Sequence, residues 1–235
     1  MDIAGELIVA DNADALADAA AEFIVERINK TADVFRMALS GGSTPRGLYT
    51  RLGKMRALPW ERMEFFFGDE RFVPHDSPDS NFRMVRETLL AHGARPKTVH
   101  PIPVDNTPGD AAARYERLLK SVYGADVLMP ERRLFDLNLL GLGEDGHIAS
   151  LLPGEPVLQE RQAWVKAVPQ GRAEPRITLT YPALEASTVT MFLVSGASKT
   201  DALRRARAGD AAIPAGRLHA HGSVIWFADR AAVQA

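Results

Sequence analysis

Short β-branched or aromatic runs alternate with segments of helical period along the whole 235-residue chain, and this alternation is its strongest structural constraint. A strand followed by a crossover helix returns parallel to its neighbour, so the pattern predicts an α/β fold: a mainly parallel, Rossmann-like sheet with helices on both faces. Leu7, Ile8 and Val9 begin the series, and Asp11 or Asn12 caps a helix whose Leu16, Ala20, Phe23, Ile24 and Ile28 share one face. Further strands are expected over 34–39, 63–67, 99–102, 135–140, 164–168, 177–180, 189–194 and 224–227. Helices are expected from Pro45 onward and over 81–91, 110–123 and 198–207, with an ordered loop over 72–80. Prolines within 101–108 and 153–156 read as loops rather than linkers. With no repeat or low-complexity tract, residues 1–235 are expected to form a single domain.

Charge and cysteine content narrow the chemistry. Lys plus Arg total 28 against 30 Asp plus Glu, a formal net charge of −2, so no general basic field collects nucleic acid or anionic membrane. Cysteine is absent, which excludes disulfides, thiolate zinc sites, iron–sulfur clusters and a cysteine nucleophile. Acids at Asp2 and Glu6 stand where a signal peptide needs a basic region, and no apolar stretch approaches the length of a membrane span. A cytoplasmic protein is expected.

In an open α/β sheet ligands bind beyond the carboxyl ends of strands, and four such ends are unusually polar here. In the first, Ser40 to Arg46, Gly41 and Gly42 let backbone N–H groups approach an anion at the start of a helix. The plainer alternative is a tight turn with Ser43 as the cap. Leu48 and Tyr49 stand where a Walker loop needs Lys and Ser or Thr, and Pro45 stands where a nucleophile elbow needs glycine. The second end is Gly68-Asp69-Glu70-Arg71, where Arg71 offers a planar donor fork oriented by Asp69 or Glu70; a sheet edge meeting water is the alternative.

The third end carries a literal Gly-x-Gly-x-x-Gly at Gly141, Gly143 and Gly146, which invites a dinucleotide reading. Its position past mid-chain, the opposing charge of Asp145 and the lack of a later strand-ending acid count against that reading. What remains is a backbone collar that presents Asp145 and His147, with His147 a general-base candidate. At the fourth end, Ser195 to Lys199, a lysine falls in the first turn of the expected helix, where the dipole disfavours it and an anionic ligand would explain it; a solvated surface lysine is the alternative. His219 and His221 lack an obvious third ligand, so no metal site is expected. His75, His92 and His100 are expected to be solvent-exposed at loops and element ends.

Taken in order, these segments resemble the 6-phosphogluconolactonases, a branch of a superfamily that also contains glucosamine-6-phosphate deaminases. The resemblance spans nearly the whole chain. It rests on Leu39-Ser40-Gly41-Gly42-Ser43-Thr44-Pro45, on Gly68-Asp69-Glu70-Arg71-Phe72-Val73-Pro74, on Ser80-Asn81-Phe82-Arg83-Met84, on 141–154 with Asp145-Gly146-His147, on Arg176-Ile177-Thr178-Leu179-Thr180, and on Ser195-Gly196-Ala197-Ser198-Lys199. Deaminases continue the Asp-Gly-His motif with a glutamate whose place is taken here by Leu152, and they tend to carry Tyr where this chain has Arg71.

The resemblance implies a sugar-phosphate deaminase/lactonase fold and hydrolysis of 6-phospho-D-glucono-1,5-lactone in the oxidative pentose phosphate pathway. No cofactor and no metal are implied, and the partner is the small sugar-phosphate lactone, with no nucleic acid, membrane or obligate protein partner. It further implies that His147 activates water, Asp145 orients it, and Arg71 stabilises either the oxyanion or the phosphate. The phosphate is expected on Gly41, Gly42 and Ser43 with Lys199, and Asp69, Asn81, Gly143 and Arg176 are expected as further substrate contacts. A deaminase-like enzyme, a non-catalytic sugar-phosphate sensor and a Rossmann oxidoreductase are the competing readings.

Overall fold

The computed structural model describes residues 3–170 and 172–234. In chain order the elements are β1 (Glu6–Ala10), α1 (Ala13–Lys30), β2 (Phe35–Leu39), α2 (Pro45–Lys54), β3 (Met63–Phe67), β4 (Asp69–Arg71), α3 (Asn81–Thr88), β5 (Thr98–Val99) and α4 (Pro108–Tyr123). They continue with β6 (Phe135–Leu140), β7 (Val165–Val168), β8 (Arg176–Leu179), α5 (Tyr181–Glu185), β9 (Ser187–Val194), α6 (Thr200–Arg207), β10 (Ser223–Asp229) and α7 (Arg230–Val233).

Seven strands form one all-parallel sheet in the order β1-β10-β9-β6-β2-β3-β5. A parallel sheet is covered on both faces, which is why its inner strands read as unbroken apolar runs. Phe65, Phe66 and Phe67 of β3 and Met191 to Val194 of β9 are all buried. The first helix is specified locally: Asn12 accepts hydrogen bonds from the N–H groups of Asp14 and Ala15 at 3.0 Å each, and Leu16, Ala20, Ala21, Ile24 and Ile28 bury one stripe. Helix α1 packs against α2 and β10, and α2 against α3. No helix among the described residues is long and apolar enough to cross a membrane.

The expected mainly parallel α/β sheet is thus present, but two of the expected strands, 164–168 and 177–180, lie outside it as β7 and β8. Residues 69–71, read as a charged strand end, form β4, and β4, β8 and β7 make a second, antiparallel sheet. Gly68 is the joint between the two sheets. Its N–H donates to Leu39 O at 2.9 Å, in the parallel sheet, while its carbonyl accepts from Leu179 N at 2.8 Å, in the antiparallel one. Hydropathy marks a strand but not its partner, so this re-pairing leaves no sign in the apolar pattern.

Other boundaries differ for local reasons. Strand β5 stops at Val99 rather than 102, since Pro101 and Pro103 have no N–H to donate. Helix α3 ends at Thr88, where Leu89 and Leu90 both turn their N–H groups onto Val85 O. His100, expected in solvent, is half-buried and stacks on Phe66 with ring centroids 4.5 Å apart. His75 is also partly buried and bonds Ile102 O at 2.9 Å.

Candidate active site

Register sets where the polar strand ends meet. Leu39 pairs with Phe67, Met37 with Leu137, and Leu140 with Phe192, so β3, β2, β6 and β9 deliver their carboxyl ends side by side. A cleft of about 430 Å³ opens above them, within the usual size of small-molecule sites. Ser40 to Ser43 form one wall of this cleft and Gly141 to Glu144 with His147 another; Lys199 faces in from the end of β9, and Asp69, Arg71, Asn81 and Arg176 close the side toward the second sheet. Of the sequence-predicted site residues only Asp145 stands off the wall, and it sits directly behind His147.

The loop after β6 is built around that pair. His147 Nδ1 lies 2.5 Å from Asp145 Oδ1, and the His147 N–H donates to the same oxygen at 3.2 Å. Gly146 adopts φ +79°, and Gly143 donates to His147 O at 2.9 Å, folding the loop back on itself. A Cβ on Gly143 would fall 2.0 Å from His147 Nδ1. Gly143 therefore serves first to let the imidazole and carboxylate approach. Burial alone would raise the Asp145 carboxyl; the hydrogen bond from His147 and the charges of His147 and Arg172 outweigh it and hold it below its ordinary range.

At the start of α2, Ser43 is not the cap. Thr44 holds that position with helical dihedrals (φ −59°, ψ −44°) and makes no capping bond, and no acid lies in the first turn. Pro45 does open the helix, Gly42 turns the chain at φ +95° just before it, and the Arg46 N–H donates to Ser43 O at 3.3 Å. An uncapped, acid-free helix start attracts an anion. Lys199 lies in a 3-10 turn over Ala197–Lys199, just before α6 rather than inside its first turn, with Nζ 3.9 Å from Glu144 Oε1.

Arg71 is aimed differently from the sequence expectation. Its Nη1 donates to Asp79 O at 2.6 Å and Asn81 Oδ1 at 3.2 Å, with Asn81 in turn donating to Asp69 O at 2.9 Å and Asp69 Oδ1 at 3.3 Å. Neither Asp69 nor Glu70 holds the guanidinium. Asn81 is 2% exposed and its amide is committed to Arg71 and Asp69. Ser150 Oγ donates to Asp69 Oδ2 at 2.6 Å. In the antiparallel register Arg71 stands directly opposite Arg176, whose Nη1 is 3.9 Å from Asp69 Oδ2. Burial lowers the Arg176 pKa, with the neighbouring Arg71 charge adding to the effect and Asp69 opposing it. Two facing arginines repel, and an anion in the cleft would relieve them.

Glu70 points the other way, into the protein. Its Oε1 accepts from Asn81 N at 2.7 Å and Arg71 N at 2.9 Å, and its Oε2 accepts from Phe82 N at 2.8 Å and Ser80 Oγ at 3.1 Å. Burial pushes this carboxyl above its ordinary range while those N–H groups pull against it. All its acceptor sites are filled by donors, so Glu70→Gln turns an amide N–H₂ toward a donor and is expected to destabilise the fold by about 2 kcal/mol in urea unfolding. An unchanged midpoint would show that the carboxylate does not anchor α3.

Arg172 is the residue that sequence reasoning missed. It arrives from the segment between β7 and β8, and its Nη2 donates to Asp145 Oδ2 at 2.7 Å, 3.3 Å from His147 Nδ1. No motif marks it, and it lies outside every strand end that drew attention.

Comparisons with known proteins show what the whole chain is similar to. The family model described as glucosamine-6-phosphate isomerases/6-phosphogluconolactonase matches residues 11–226. A protein of Nostoc sp. named 6-phosphogluconolactonase is 39% identical over 203 residues, covering 84% of this chain and 83% of that one. One of the same name from Thermotoga maritima is 32% identical over 220 residues, covering 90% and 95%. The solved structure of a 6-phosphogluconolactonase from Trypanosoma cruzi superimposes with a TM-score of 0.87 at 28% identity, covering 100% of this chain and 97% of that one.

Proposed function

The chain belongs to the glucosamine-6-phosphate isomerase/6-phosphogluconolactonase family, and from that premise we propose that it is a lactonase hydrolysing 6-phospho-D-glucono-1,5-lactone to 6-phosphogluconate. The observation that carries this reading is the Asp145–His147 pair, 2.5 Å apart, with His147 on the same cleft as Arg71, Arg176, Lys199 and the open start of α2. A lactone carbonyl is already electrophilic. It needs an activated water and a home for the oxyanion, both of which side chains and backbone N–H groups supply.

Asp145 accepts the Nδ1 proton of His147 and so leaves Nε2 as the basic nitrogen. Nε2 takes a proton from water as its oxygen attacks C1, and the carbonyl electrons collect on the oxyanion. Collapse of the tetrahedral intermediate breaks the bond from C1 to the ring oxygen, and the proton on Nε2 passes to that oxygen as it leaves. The phosphate lies on the N–H groups of Gly41, Gly42 and Ser43 with Lys199, and the Arg71–Arg176 pair beside Asp69 meets the oxyanion or the far side of the phosphate. Residues 1–235 act as one domain, with a cytoplasmic setting, in this reading.

Nothing in the cleft favours the deaminase alternative: Leu152, where that chemistry calls for a carboxylate, is buried. The test is hydrolysis of the lactone, generated in place by oxidising glucose 6-phosphate, with spontaneous hydrolysis subtracted. A folded wild-type protein that fails to exceed the spontaneous rate overturns the reading. Within it, Lys199→Ala is expected to raise KM by about 10-fold to 100-fold, the worth of one charge-assisted hydrogen bond, and to leave kcat within about threefold. A fall in kcat with KM unchanged would move Lys199 from the phosphate to the reacting carbonyl.

A further inference from the structure

Arg172 is an unusual residue for an exposed loop. Its backbone stands at φ +87°, a left-handed conformation that a side chain with a Cβ adopts only against steric resistance. Arg172 N donates to Gln170 O at 2.8 Å, within the same turn. Such strain persists where other contacts hold it, and it clusters at working sites. Here the contact is specific: one guanidinium nitrogen meets Asp145 Oδ2 at 2.7 Å, while the other oxygen of that carboxylate holds His147 at 2.5 Å.

The carboxylate is therefore gripped from two sides. Without Arg172 it can rotate about its χ2 bond, and each rotation moves the acceptor away from the Nδ1 proton. With Arg172 in place the plane of the carboxylate is set by three groups: the His147 ring, the His147 N–H and the guanidinium. Gly143 leaves no slack on the remaining side, since a Cβ there would stand 2.6 Å from Asp145 Oδ1. Arg172 is not among the residues that line the cleft, and it reaches the His147 ring on the Nδ1 edge that Asp145 holds.

We propose that Arg172 is a positioning residue of the hydrolytic centre, holding the Asp145 carboxylate in the orientation that keeps His147 aimed at its water. This rests on the lactonase reading above. It acts through Asp145 and touches no substrate atom, which separates it from Arg71, Arg176 and Lys199. Its effect belongs in kcat, because the orientation of a base matters in the transition state far more than in substrate binding.

The test is a double-mutant cycle on lactone hydrolysis with Arg172→Ala, Asp145→Ala and the pair, accompanied by Arg172→Lys. Arg172→Ala is expected to lower kcat by about tenfold with KM within about twofold. In the Asp145→Ala background the same change is expected to alter kcat by less than about twofold, since the group through which Arg172 acts is gone. Arg172→Lys should recover part of the loss. An unchanged kcat in Arg172→Ala, multiplicative losses in the double variant, or a rise in KM alone would each overturn the proposal. The wild-type measurement in the same series separates the two levels. An inactive wild type removes the lactonase reading and this inference with it, whereas an active wild type with an indifferent Arg172 removes only the inference.

Discussion

His147→Ala is expected to lose about 10²-fold to 10⁴-fold in kcat, the usual worth of a positioned general base, while still binding 6-phosphogluconate. The reasoning is geometric. The ring is anchored at Nδ1 by Asp145 and is only 24% exposed, so its other nitrogen is presented to the cleft by a fixed mount. The groups assigned to the phosphate lie on the loop between β2 and α2 and on the 3-10 turn that follows β9, and the variant leaves those untouched. Binding and chemistry should therefore separate. Isothermal titration with product measures the first and the lactone assay the second. Wild-type kcat in His147→Ala would end the base assignment, and loss of product binding would show that the imidazole also holds the sugar.

The second large effect is expected at a residue with no side chain. A methyl group at Gly143 would meet His147 Nδ1 at 2.0 Å, His147 Cε1 at 2.3 Å and Asp145 Oδ1 at 2.6 Å. Those separations lie far inside van der Waals contact, so the ring must shift by roughly 1 Å, and a displacement of that size at a reacting centre costs about 10²-fold in rate. Gly143→Ala should thus lose kcat on that scale. The proper comparison is Gly154→Ala, where φ is +84° but no atom lies within 4 Å of the new Cβ. That variant carries backbone strain of about 1–2 kcal/mol and should lower the unfolding midpoint without changing kcat. If both variants lose activity equally, the effect of Gly143 is general loosening and not the collision.

These expectations depend on features that were legible to very different degrees. The parallel strands could be read because burial on both faces demands long apolar runs, as in Met63 to Phe67 and Val189 to Val194. A cap at Asp11 or Asn12, of which the structure uses Asn12, and Pro45 at a helix start follow from chemistry confined to a few adjacent residues. The polar strand ends followed from the same logic, since a sheet of this class exposes its functional groups there. The roles of Glu70 and Arg71 were not legible. Neighbours in sequence, they point in opposite directions because β4 alternates its side chains, and which faced the cleft depended on a pairing that hydropathy does not encode.

By itself, the sequence determined the fold class, the order of most elements and the cluster of strand ends where chemistry could gather, because each is written in local periodicity or in the backbone preferences of single residues. The tertiary structure alone decided that Gly68 joins two sheets, that Arg71 faces Arg176, and that Arg172 closes on Asp145 from 27 residues away. Those are meetings between distant segments, and their energies come from contacts that exist only once the chain has folded.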